Sequence, residues 1–127
     1  NYALVGRWLA HAACGRVTHD AIARSELVRG ESVIGWCAHY AIGTLFAAVL
    51  LTLWPGWAEA PTLIPALLVG VGSVAAPFLV MQPAMGAGVA ASRTPDPDAA
   101  RLRRLITHGI FGLGLYVAAW ARLLVFS

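Results

Sequence analysis

The chain has 127 residues, 59% of them hydrophobic and 12% charged, with a mean hydropathy of +0.72; these values exclude an ordinary soluble domain and fit one small helical membrane domain. Its net charge of +3 comes from nine basic residues, all arginine, and because these neither cluster on one face nor alternate with stacking aromatics they argue against a nucleic-acid partner. Cys14 and Cys37 form no CxxC pair and lie in different segments, so two free thiols are expected rather than a disulfide scaffold or zinc knuckle.

The sequence starts at Asn1 with no charged n-region, apolar h-region and cleavage site, and a segment upstream is expected to be missing. Residues 1–31 read as a polar cytoplasmic arm. Tyr2, Val5, Trp8 and Leu9 have the helical spacing of a short interfacial helix or of the end of an upstream one. Thr18, His19 and Asp20 offer a cap or turn before Ala21 to Val28.

From Ser32 to Trp54 no residue is formally charged. At about 1.5 Å per residue this stretch covers roughly 34 Å, enough for the hydrocarbon core of a bilayer. The transmembrane domain thus spans 32–127, with helices predicted at 32–54, 62–81 and 99–126. Trp54 and Trp57 mark an aromatic belt at the first turn. Thr62 is placed to N-cap the second helix, in which Pro77 should kink or end the regular winding, and Gln82 to Gly88 reads as its broken end. Asp98 is the predicted cap of the third helix. Arg122, near that helix's end, can snorkel.

Four arginines lie in the arm, four more lie between Gln82 and Arg104, and none lies between Trp54 and Pro61. The arm and residues 82–104 are therefore expected to be cytoplasmic, with the C-terminus periplasmic, in a multi-pass protein of the inner membrane. Small residues four apart, Gly43 with Ala47, Ala66 with Gly70, Gly72 with Ala76 and Gly114 with Ala118, favour close packing against other membrane helices or subunits as well as lipid.

Ionisable side chains inside a membrane are costly and draw attention. His39 lies about 10 Å along the first helix and His108 about 6 Å beyond Arg104, at the depth where Gln82 ends the second helix. These three form a predicted polar layer. Tyr40, Tyr116 and Arg93 could add hydrogen bonds, and His11, His19 and Asp20 could cover the layer from the cytoplasm. Three roles stay open: interhelical hydrogen bonding, a polar-ligand or proton-relay site, and ligation of a metal or tetrapyrrole at His39 or His108, where Gly35 would leave room for a macrocycle. No HExxH, GxGxxG, P-loop or GxSxG motif is present, and Ser92 has no assigned base, so no catalytic residue is identified.

Several stretches recur together: NYALVGRW from Asn1, GWCAHY from Gly35, APFLVMQPAMGAGVAASRTPDP from Ala76, and THGIFGLGLY from Thr107. In these the chain resembles the bacterial domain-of-unknown-function 2938 family of small multispanning membrane proteins. The resemblance implies an all-α inner-membrane protein with one more helix upstream, and implies no activity. Three helices bury little surface alone, so the leading expectation is a non-enzymatic accessory or structural subunit. The alternative is a self-contained bundle whose His39, His108 and Gln82 bind a small ligand, metal or tetrapyrrole, or relay protons.

Overall fold

Helices in this chain open where a polar side chain or proline meets an apolar run. In the computed structural model, which describes residues 1–126, Asn1 Oδ1 accepts from the Ala3 N–H at 3.0 Å and opens α1 (Tyr2–Ala13). A 3-10 turn at Ile22–Arg24 follows, then α2 (Glu31–Leu53) and α3 (Leu63–Gly72). Beyond α3 come a π-helical stretch, Pro77–Met81, the short α4 (Gln82–Ala84), a 3-10 turn at Val89–Ala91, and α5 (Pro97–Phe126). Among the described residues there is no strand, and the fold is all-α.

Three stretches, Glu31–Leu53, Leu63–Ala84 and Pro97–Phe126, are long and apolar enough to cross a membrane, and they coincide with the predicted spans apart from shifts at their ends. Only 11%, 33% and 6% of their most apolar windows is buried inside the chain, so the remaining surface requires lipid or further protein to cover it.

Two boundaries are corrected. At Pro77 the missing N–H removes one regular helical bond, and the regular winding widens into the π-helical stretch. The Gln82 N–H reaches back to the Pro77 carbonyl and the helix continues through Ala84, residues expected in a broken end. At α5 the cap is Asp96 rather than Asp98: Asp96 Oδ1 accepts the Ala99 N–H at 3.0 Å, Pro97 takes the first helical position, and Asp98 pairs with Arg101 at 2.9 Å. Thr62 does precede α3 in extended backbone, without a side-chain capping bond.

The chain divides into two compact units. The first comprises Asn1–Gly43 and Ala75–Arg101. In it α1 lies on the first turns of α2 backbone to backbone: a Cβ on Gly6 would strike the Glu31 carbonyl oxygen, and one on Gly35 would strike the Tyr2 carbonyl oxygen. The arm is folded onto the same unit. Trp8 Nε1 donates to the Val17 carbonyl at 2.8 Å, the His19 N–H to Ala84 at 2.8 Å, and the Ile22 N–H to Met85 at 3.1 Å. Gly86, at φ +91°, is required there twice over, because its left-handed backbone suits glycine and a Cβ would collide with the Asp20 carbonyl.

The second unit comprises Thr44–Val74 and the chain from Leu102 onward. Its core is Leu50, Trp57, Ala66 and Val69, flanked by Phe46 and Leu115. Here α3 meets α5 at Gly70 and Gly112, where a Cβ on Gly112 would sit 2.7 Å from the Ala66 carbonyl and 3.2 Å from Gly70 Cα. Of the predicted small-residue pairs, Ala66 with Gly70 makes this crossing, whereas Gly72 and Gly114 have nothing within 4 Å of a built Cβ.

Candidate functional site

Because Gly6 allows α1 to touch α2, its neighbour Arg7 is carried onto Glu31, the first residue of α2. The guanidinium grips the carboxylate with two bonds, Nε to Oε2 and Nη2 to Oε1, both 2.8 Å. Its Nη1 donates to the carbonyls of Ile22, Ala23 and Ser25 at 3.2, 3.3 and 3.3 Å. Glu31 Oε2 also accepts the Val28 N–H at 3.2 Å. Arg7 is 6% exposed. The side-chain hydrogen bonds to Glu31 raise its pKa above the ordinary arginine value; desolvation opposes this, and attraction to the carboxylate adds to it. A planar fork with donors on three nitrogens is what lets one side chain tie α1, the 22–25 turn and α2 together.

One turn further along α1, His11 is buried and its Nδ1 lies 2.9 Å from His19 Nε2, with the rings stacked at 5.1 Å. One hydrogen must sit between these two nitrogens, so one ring donates and the other accepts. His19 Nδ1 is buried without a hydrogen-bond partner. The arm candidates His11 and His19 are thus brought together, while Asp20 is exposed beside them.

His39 stands exposed on α2, its Nε2 3.3 Å from Tyr2 Oη and its ring 4.5 Å from the Tyr2 ring. Trp36 and Tyr40 extend this aromatic group, with Trp36 4.2 Å from Tyr2 and 5.8 Å from Tyr40. Gly35 leaves no space for a macrocycle beside His39, since the α1 backbone occupies it. In the second unit, Ser73 Oγ donates to the Gly70 carbonyl at 2.6 Å and lies 2.7 Å from His108 Nδ1. Since the serine's one hydrogen goes to the carbonyl, His108 Nδ1 carries the hydrogen of the second bond.

Each of the two predicted membrane histidines is therefore hydrogen-bonded within its own unit, His39 with Tyr2 and His108 with Ser73. Gln82, in the first unit, has a buried Oε1 with no hydrogen-bond partner. Arg93 is exposed, with its backbone N–H on the Ala87 carbonyl at 2.9 Å. Both cysteines are free and exposed. Among the described residues, no group of three or more His, Cys, Asp or Glu side chains comes together that could hold a metal ion.

Sequence reasoning missed Arg7, Glu31, Tyr2 and Ser73 as partners. Glu31 as the last acidic residue before an uncharged span carried a signal, since a carboxylate at a membrane boundary needs a cation or water.

No curated protein and no solved structure matches the chain. A family model described as "Protein of unknown function (DUF2938)" matches residues 1–122. By that match over nearly its whole length, the chain belongs to the DUF2938 family.

Proposed function

We propose that this protein is a multi-pass component of the bacterial inner membrane, without catalysis of its own, that packs its helices against other membrane helices as an accessory or structural subunit. The observation that carries this reading is His39. It lies exposed on a membrane-length helix, with Nε2 on Tyr2 and no hydrogen bond to Nδ1 among the described residues. Hydrocarbon against that nitrogen would cost about 1–3 kcal/mol in lost hydrogen bonding, which a polar side chain on a facing helix restores.

Light scattering of the protein purified in mild detergent tests it. His39→Leu is expected to lower the mass of the assembly, and His39→Gln, which keeps a hydrogen-bonding group, is expected to preserve it. Identical masses for wild type and both variants would remove the basis of the reading.

The orientation belongs to the same proposal, with the arm and residues 82–104 cytoplasmic and the Trp54 to Pro61 turn periplasmic. Arginine placement supports it. So do the bonds from His19 to Ala84 and from Ile22 to Met85, which keep the arm beside the residue-82 end of its unit. In a variant whose own cysteines are replaced by serine, Cys introduced at Ala60 should react with an impermeant maleimide in intact cells, and Cys at Ser92 only after permeabilisation. The reverse pattern would invert the topology.

A further inference from the structure

An apolar groove in the second unit ends at the guanidinium of Arg122. Ala47 and Leu50 of α2, Trp57 of the following turn, and Ala118, Ala119 and Arg122 of α5 line a cavity of about 200 Å³. Four alanines, Ala58 being the fourth, leave the space open, and the groove has no polar floor, since Leu50 is 1% exposed and the Trp57 Nε1–H is already given to the Thr62 carbonyl at 2.9 Å. Arg122 Nη2 donates to the Ala58 carbonyl at 2.7 Å, which places the guanidinium beside the groove. That bond uses one of its five N–H donors, and among the described residues it makes no ion pair.

We propose that this groove binds one acyl chain of an anionic phospholipid, with the headgroup phosphate on Arg122. The volume lies below the roughly 300–1,000 Å³ of sites for compact ligands, so it suits a length of hydrocarbon chain rather than a whole small molecule. A guanidinium is the cation that grips phosphate with two parallel bonds, and a basic residue near the end of a membrane helix stands at headgroup depth. The combination selects a ligand with both a long apolar tail and a negative head. This goes beyond the packing role and rests only on the helices being membrane-embedded, which recovery of the protein in the membrane fraction checks separately.

The test is native mass spectrometry of the purified protein in mixed micelles of phosphatidylglycerol and phosphatidylcholine with identical acyl chains. Wild type is expected to retain phosphatidylglycerol about fivefold over phosphatidylcholine, the scale of one basic residue against an anionic lipid. Arg122→Gln should bring the ratio near unity and Arg122→Lys should keep most of it. Ala118→Phe, which fills the groove, should reduce retention of both lipids while circular dichroism stays unchanged. An equal ratio in wild type, a ratio unaltered by Arg122→Gln, or displacement of the lipid by glycerol phosphate alone would overturn the proposal. The last result would mean a site for free phosphate. A groove closed by a second copy would also overturn it, seen as dimers that exclude lipid.

Discussion

Gly70→Ala is expected to destabilise the second unit severely, whereas Gly72→Ala, two residues away on the same segment, should be neutral or slightly stabilising. A Cβ on Gly70 would overlap Gly112 Cα and come within 2.6 Å of the Gly112 nitrogen and 2.8 Å of the His108 carbonyl, all backbone atoms that cannot turn aside. The helices must separate, and overpacking of this kind costs about 1–3 kcal/mol or more. The Ser73–His108 bond of 2.7 Å lies one turn from the crossing and should be lost with it. At Gly72 a Cβ meets nothing within 4 Å, so alanine gains roughly 0.5–1 kcal/mol from reduced chain entropy. Thermal unfolding in detergent reads the difference directly. Equal midpoints for the two variants would show that α3 and α5 do not rely on this contact.

Gly70 and Gly72 also show how far the sequence could be read. The three spans were legible because a long uncharged run has one stable state in hydrocarbon, and that constraint is local to each run. Which glycine meets which helix is a pairing property. With 13 glycines in the chain, four-residue spacing of small residues recurs on all three long spans, and nothing local separates the pair at a crossing from the pair at an open face. Pro77 posed a similar problem. Its missing N–H was certain from the sequence, but whether the helix stops or widens depends on whether the next turn finds an acceptor, and the Pro77 carbonyl supplies it to Gln82.

At the candidate site the residue types drew attention for the right physical reason, and their partners lay out of view. His39 and His108 stood out as ionisable groups in apolar runs. Tyr2 reads as one apolar position of an amphipathic helix, and nothing in the sequence singles out Ser73, yet each is hydrogen-bonded to one of the histidines. Arg7 and Glu31 fall in the stretch that reads as a polar arm. They are 24 positions apart and joined through an irregular segment, so no periodicity links them. Only the glycine contact of α1 on α2 brings them together, and a missing side chain is the faintest of sequence signals.

Replacing Arg7 is expected to release the arm, in a way that separates its two tasks. Arg7→Met removes both the ion pair with Glu31 and the donors to Ile22, Ala23 and Ser25. The Glu31 carboxylate then lacks its cation, and three carbonyls of the turn lose a shared donor. Limited trypsin digestion is a direct reporter, because Arg16, Arg24 and Arg29 all lie in the arm and the chain has no lysine. Cleavage at Arg24 and Arg29 should accelerate on the order of tenfold, as expected when a segment's local opening becomes easy. Arg7→Lys should be only a partial rescue, since a single ammonium restores the charge but cannot present a planar fork to the carboxylate while reaching the turn. The double replacement Arg7→Met with Glu31→Gln removes the stranded charge, so it should regain part of the thermal stability lost by Arg7→Met alone. It should not slow the accelerated cleavage, because the 22–25 carbonyls remain without their donor. If the double variant instead restores wild-type resistance, the stranded Glu31 charge alone opens the arm in Arg7→Met, and neither the ion pair nor the three carbonyl bonds is needed to hold it.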